Sequence, residues 1–222
     1  DNDLKEVAIG KDGIFNTAKK GSVYIDNTTA SADAARKLFM NAMSHGFYFL
    51  DAPVSGGQAG AESGSLSVMV GGDIEAFEKA EPVMKCYAKK IKLIGGSGSG
   101  QLAKMVNQIC IAGTVQGLAE ALNFGVAVGL NIEDVIDTIS KGAAQSWQME
   151  NRYKTMVEGK FDYGFAVDWM RKDLKIAMEE AEKNGTPLPI TKIIDGYYAE
   201  IQKTGGNRWD TSSLITLLNK KK

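Results

Sequence analysis

The stretch "QLAKMVNQ" (101–108) sets Lys104, Asn107 and Gln108 at i, i+3 and i+4. On a helix those three side chains share one face. Ala112, Val115 and Ala119 continue the same stripe, which should be buried. A lysine on a mostly apolar stripe is unusual, because taking a charge out of water is costly. One explanation is a lysine near a helix end that lays its stem on the surface and keeps its ammonium in water. The other is a lysine that transfers protons. Desolvation and a nearby helix N-terminus would then lower its pKa from about 10.4. Asn107 and Gln108 would hydrogen-bond the same substrate oxygen.

A second constellation lies in "LDAPVSGGQAGAESGSLSVMVGGD" (50–73). An apolar strand stops at an acid and runs into Pro, Ser and paired glycines. Open α/β sheets bind ligands at the carboxyl edge of their strands. Ser55 offers a hydroxyl there, and Gly56 and Gly57 offer unshielded backbone N–H groups. Such a cradle suits a carboxylate, although a structural turn uses the same residue types. "IDNTTAS" (25–31) is the equivalent edge of the preceding strand. Its Thr28 and Thr29 either contact a cofactor or cap the next helix.

Other residues carry weaker signals. "WMRKDLKIA" (169–177) puts Arg171, Lys172 and Asp173 in the first turns of a helix, where acids are the usual choice; a solvated face is the alternative. Trp147 and Phe165 are possible pocket-wall residues, Trp147 on type alone being more often core. His45 is the only histidine. It stands at what reads as a helix end, as a capping or surface residue, so Ser-His-Asp catalysis has no other histidine to use. Cys86 and Cys110 lack metal-ligand spacing and read as reduced thiols of a cytoplasmic protein. No metal site is expected.

The elements that must hold these residues alternate in the first half. "SVYID" (22–26), "FYFLDA" (47–52), "SLSVMVGG" (65–72) and "IKLIG" (91–95) read as strands. "SADAARKLFMNAMSHG" (31–46) reads as a helix with Ser31 as N-cap and Gly46 as stop. "DIEAFEKAEPVMKCYA" (73–88) reads as another, which Pro82 could split in two. Strands separated by helices imply βαβ units and a largely parallel sheet. After Gly100 every segment reads as helix: a long apolar one over about 101–128, then 131–142, 146–159, 168–185, 188–206 and 211–220. The fold class is therefore α/β: a partial Rossmann-like, doubly wound sheet over residues 1–97, then an all-α domain over 98–222 that begins with a long linking helix. Residues 1–13 read as a loop and helix already inside such a domain, so a preceding segment is expected.

Bulk properties narrow the function. The 222 residues are 44% apolar and 24% charged, with 26 Lys+Arg against 27 Asp+Glu and a net charge of −1. That balance argues against a general nucleic-acid or anionic-membrane role. No uninterrupted run of about 18 apolar residues occurs, so no membrane span is expected. The basic tail "NKKK" (219–222) reads as a solvated terminus. "GSGQLA" (98–103) fits a variant of the dinucleotide fingerprint, but that fingerprint needs a strand ending in an acid about 20 residues on. Glu120 lies at that distance inside a continuous helix. The glycines more plainly give an entry to the long helix and let something approach its N-terminus.

Together these segments resemble the β-hydroxyacid dehydrogenase family, which includes 3-hydroxyisobutyrate dehydrogenase. The resemblance spans essentially the whole chain. "DAPVSGGQAGAESGSLSVMVGGD" is similar to the family's substrate-binding signature, "GSGQLAKMVNQICIAG" to the segment with its catalytic lysine, "DNTTAS" to its cofactor-contacting region, and "RKDL" to its late Lys-Asp-Leu motif. The resemblance implies that Lys104 is the catalytic acid/base and that Ser55, Gly56 and Gly57 hold the substrate carboxylate. Asn107 or Gln108 would orient the hydroxyl; Gln108 stands where some members have a second Asn. Thr29 would touch the dinucleotide, and Lys172 would reach the cofactor or the site entrance, with Asp173 helping to position its helix. It also implies that roughly 70–90 residues of a first βαβαβ half precede Asp1 and carry the choice between NAD and NADP.

The expected activity is hydride transfer between NAD or NADP and the hydroxyl carbon of a small 3-hydroxy acid. The reduction of a small semialdehyde acid such as tartronate or succinate semialdehyde is an alternative. A non-catalytic scaffold on the same fold, or an inactive fragment of an enzyme, are the others. The implied partners are a small carboxylate substrate and further copies of the chain in a homodimer or homotetramer.

Overall fold

The computed structural model describes residues 1–218; the basic tail at 219–222 lies outside the described residues. The chain divides into two compact units, Asp1–Asn107 and Gln108–Lys222.

The first unit opens with α1 (Asn2–Ile9) and a short 3-10 turn, then β1 (Val23–Asp26), α2 (Ala32–His45) and β2 (Tyr48–Asp51). α2 starts and stops as its sequence dictates. The Ser31 hydroxyl accepts from the Ala34 N–H at 3.0 Å, and Gly46 leaves the helix at φ 82°, a conformation glycine adopts without strain. His45 is exposed in the last turn, with Nδ1 2.8 Å from the Asn41 carbonyl oxygen. β1 and β2 pair in parallel from Val23↔Tyr48 to Asp26↔Asp51, so both strands deliver their carboxyl ends to the same sheet edge.

The next stretch departs from expectation. Between β2 and β4 (Leu66–Gly71) lie β3 (Val54–Ser55) and α3 (Gly57–Glu62), neither of which the sequence pattern reveals. β3 pairs antiparallel with β4, and β2 meets β4 antiparallel at Asp51↔Gly71. Most of the strand pairing is parallel, as the βαβ pattern implies, and these short antiparallel ladders are what that pattern does not show. α4 (Ile74–Met84) is one helix, with Pro82 in its last turn; there one hydrogen bond is forgone and the helix is not split. β5 (Ala88–Gly95) then pairs in parallel with β4.

Alternation along β2 decides how the sheet is covered. Phe49 joins a cluster with Leu4, Phe15, Leu38 and Phe47 on the side of α1 and α2. Leu50 joins another with Val68, Val70, Ala80 and Met84 on the side of α4. Apolar layers on both faces are what a doubly wound arrangement needs.

α5 (Ser99–Ala127) follows directly, and its first turns belong to the first unit. Among the described residues every later element is helical: α6 (Ile132–Ile139), α7 (Trp147–Glu158), α8 (Val167–Asn184), α9 (Pro189–Lys203) and a final 3-10 helix Thr211–Leu217. That last segment is 3-10 rather than α; Ser212 and Ser213 at its start are fully buried, and the Ser212 N–H donates to the Asp210 carboxylate at 3.0 Å. The core of the second unit gathers Ala112, Val115, Leu118, Ala119 and Leu122 of α5 against residues such as Leu174, Ile194 and Tyr198. α5 has the length and composition to cross a membrane, although no uninterrupted apolar run of that length exists. Its stripe Ala112, Val115 and Ala119 is fully buried in this core.

Candidate active site

Helical spacing puts Lys104, Gln108, Ala112, Val115 and Ala119 on one stripe of α5, and all are buried. Lys104 is only 7% exposed. Its ammonium donates to the Val54 carbonyl at 3.0 Å, the residue just before Ser55. Of the two readings the sequence left for this lysine, the one placed on the stripe fits its side chain, whose amine bonds the strand that leads into the Ser-Gly-Gly segment.

That segment has the backbone its composition suggests. Ser55 is half-buried at the end of β3, and Gly56 and Gly57 are exposed at the start of α3. Gly56 sits at φ 130° and Gly57 at φ 61°, which L side chains adopt only with strain. A Cβ on Gly56 would also come within 3.1 Å of Leu66.

Two residues that the sequence reading passed over hold this arrangement together. Asp51 is fully buried. One carboxylate oxygen accepts from the Gly98 N–H at 2.8 Å and the other from the Gln101 N–H at 3.0 Å. The acid that ends β2 thus satisfies the open N–H groups at the start of α5. Burial pushes the Asp51 carboxyl above its ordinary pKa, and the N–H donors of Gly98 and Gln101 pull it part of the way back. Gly100 lets the strands approach: a Cβ there would lie 2.4 Å from the main-chain oxygens of Asp51 and Met69. Gly100 of "GSGQLA" therefore admits the protein's own strands to the helix start. Gln101 is also fully buried. It donates to the Thr28 carbonyl at 2.7 Å and accepts from the Ala30 N–H at 3.0 Å. The signals were present as an acid ending an apolar strand and an amide one helical turn before the lysine.

The loop after β1 contains Thr29, which is half-buried, beside exposed Asn27 and Thr28. The Asn27 amide donates to the Ala52 carbonyl at 2.6 Å, and the Thr28 N–H donates to Asp26 at 3.0 Å. Burial raises the Asp26 pKa, and the Thr28 bonds oppose it. Thr28 does not cap α2; Ser31 does.

In the second unit, Gln108 donates to Asp173 at 2.7 Å, and the Lys172 ammonium lies 3.0 Å from the other Asp173 oxygen. Asp173, 2% exposed, joins these two sequence-predicted residues. Asn107 is half-buried, one position before Gln108. Arg171 belongs to a different network: it makes a two-point contact with Asp195 at 2.9 and 3.1 Å. Trp147 is 51% exposed at the start of α7, contrary to its core reading, with the Arg152 guanidinium 4.8 Å from its ring centre. Phe165 is half-buried against the core, and its N–H donates to Asp210 at 2.9 Å.

Comparison with known proteins places this geometry. Residues 98–218 match the family described as NAD-binding of NADP-dependent 3-hydroxyisobutyrate dehydrogenase, and residues 1–95 match the NAD binding domain of 6-phosphogluconate dehydrogenase. The chain belongs to the 3-hydroxyisobutyrate dehydrogenase-like family. Its relatives include an uncharacterized oxidoreductase of Shewanella frigidimarina, 56% identical over 99% of this chain and 76% of that protein. Another is 2-(hydroxymethyl)glutarate dehydrogenase of Eubacterium barkeri, 35% identical over 96% of this chain and 71% of that one. Among solved structures, 3-hydroxyisobutyrate dehydrogenase of Mycobacterium tuberculosis with L-serine superposes with a TM-score of 0.83, at 31% identity over 93% of this chain and 73% of that one. Members of this dehydrogenase family use NAD(P), and this chain is an NAD(P)-dependent hydroxyacid dehydrogenase by family. The donor set fits such a cofactor: the loop at Asn27–Thr29 offers amide and hydroxyl groups at the carboxyl end of a parallel strand.

Proposed function

We propose that the protein interconverts a 2-substituted 3-hydroxypropionate and the corresponding semialdehyde acid, with Lys104 as the proton-transfer residue. The observation that carries the reading is the buried Lys104 side chain, whose ammonium donates to the Val54 carbonyl at 3.0 Å, at the entrance to the Ser55–Gly57 segment. A buried amine beside a carboxylate cradle has little structural purpose, since an apolar side chain would fill the position at lower cost.

Bound NAD(P) supplies the hydride acceptor and donor. In oxidation, Lys104 with its amine neutral accepts the hydroxyl proton; in reduction, its ammonium returns that proton to the carbonyl oxygen. Ser55 and the N–H groups of Gly56 and Gly57 fix the carboxylate end, which sets the distance to the reacting carbon. Gln108, held by Asp173, and Asn107 follow Lys104 by one helical turn and orient the oxygen. Thr29 meets the dinucleotide.

The substrate class follows from the named relatives. 3-Hydroxyisobutyrate, 2-(hydroxymethyl)glutarate and L-serine all carry a primary alcohol next to a substituted carbon that bears a carboxylate. The common core is what Lys104 and the cradle recognise; the substituent at carbon 2 is what varies. The test is turnover, followed by reduced nicotinamide absorbance, with 3-hydroxyisobutyrate, 2-(hydroxymethyl)glutarate, L-serine and glycerate, each with NAD and with NADP. Activity on at least one of these, and none on the matching 3-hydroxy amides, is expected. Equal activity on acid and amide would remove the carboxylate cradle from the reading.

A further inference from the structure

Gln101 has no exposed surface and stands three residues before Lys104 on α5. A buried carboxamide is unfavourable unless both its ends are bonded. Both ends here bond one short piece of main chain: Nε2 donates to the Thr28 carbonyl at 2.7 Å and Oε1 accepts from the Ala30 N–H at 3.0 Å. The two contacts bracket Thr29. The residue's own main-chain N–H donates to Asp51 at 3.0 Å. Gln101 is therefore tied to the carboxyl ends of both parallel strands, β1 through the Thr28–Ala30 loop and β2 through Asp51. A leucine or methionine would fill the same volume without a desolvation penalty. The amide instead reads backbone groups only, so it fixes the path of the loop and leaves its side chains free to vary.

We propose that Gln101 is a positioning residue that holds the Thr28–Ala30 backbone in register with the helix carrying Lys104, and so sets dinucleotide affinity. The inference rests on the dehydrogenase reading above. Its consequence is selective: loss of the amide releases the loop, while Asp51 still holds the start of α5 and with it Lys104. Dinucleotide binding should weaken before hydroxy acid binding changes.

The test uses Gln101→Met, which removes both bonds at nearly constant length, and Gln101→Glu, which once ionised keeps an acceptor for Ala30 but loses the donor to Thr28. Hydrogen exchange at the Ala30 amide is read in the protein alone. Titration with NADH and NADPH by nucleotide fluorescence, and separate KM values for dinucleotide and hydroxy acid, complete the set. We expect Ala30 exchange in Gln101→Met to quicken about 10-fold, from the loss of one buried hydrogen bond. Dinucleotide Kd should rise about 10-fold in both variants, with hydroxy acid KM within about two-fold of wild type. Unchanged Ala30 exchange, unchanged dinucleotide Kd in Gln101→Met, or an equal rise in both KM values would overturn the inference. If Gln101→Met does not fold, the same limits on Kd and KM apply to Gln101→Glu alone. Failure of the full-length wild type to bind either nucleotide would instead bring down the dehydrogenase reading, and this one with it.

Discussion

The buried stripe of α5 has two halves that share one periodicity and differ in chemistry. Its first turns present Gln101, Lys104 and Gln108; its later turns present Ala112, Val115 and Ala119. The later half behaves as an amphipathic helix should, and its burial stabilises the second unit through the hydrophobic effect. The first half is equally hidden but carries an amine and two amides, each of which needs a partner. Those partners are main-chain and carboxylate groups of specific residues: Val54 for Lys104, Thr28 and Ala30 for Gln101, Asp173 for Gln108. Burial alone therefore does not distinguish a structural position from a functional one. The informative feature is burial of a group that gains nothing from it.

The sharpest test of that division is Lys104→Ala. If the polar half exists for chemistry, turnover should fall by about a thousand-fold, within the range for loss of a general acid–base group. That is about 4 kcal/mol in the barrier. Stability should change by only about 1 kcal/mol, the worth of one hydrogen bond. Steady-state kinetics beside urea unfolding reads both. A stability loss with little loss of turnover would make the two halves of the stripe alike.

The opposite variant is Val115→Ala. It should lower stability by about 2 kcal/mol, from two lost methyl groups and a small cavity. The kcat and both KM values should stay within about two-fold of wild type, since no polar partner is touched. Urea unfolding followed by circular dichroism gives the first quantity and the nicotinamide assay the second. If activity drops before stability does, the apolar half is part of the site and the boundary drawn between Gln108 and Ala112 is misplaced.

This contrast also explains what the sequence could reveal. Periodicity and caps gave the helix over 31–46 because Ser31 and Gly46 act locally, and the Lys104 stripe was legible because helical spacing is a local property. The parallel pairing was legible, but the antiparallel part was not: β3 is two residues long, and its pairing with β4 depends on a reversal that no short-range pattern encodes. Asp51 and Gln101 escaped notice for the same reason. Their partners lie 47 to 73 residues away in the chain, and an Asp at a strand end or a Gln in a helix is unremarkable until those partners are known. Trp147 failed in the other direction: residue type favours the core, yet the ring is half exposed and faces the Arg152 guanidinium.

Asp51 offers the smallest effect and tests how the polar half is held. Burial raises its pKa above the ordinary 3.8, so the folded protein keeps this proton to a higher pH than the unfolded chain. Between 3.8 and the raised value, folding takes up a proton and stability falls as pH rises. This contribution is complete below the unfolded pKa and is lost as pH passes the folded one. Asp51→Asn cannot titrate and has no such slope. The wild type's stability advantage over the variant should therefore shrink as pH rises from 3.8 through the raised value, in parallel urea titrations. The outcome separates two pictures of the α5 anchor. A shrinking advantage means that desolvation outweighs the two N–H donors, and that the carboxylate is retained at neutral pH for the position it imposes on Gln101. An advantage that grows with pH means that the negative charge at the helix start is itself the stabilising element, and that the polar half of the stripe is anchored by electrostatics rather than by geometry.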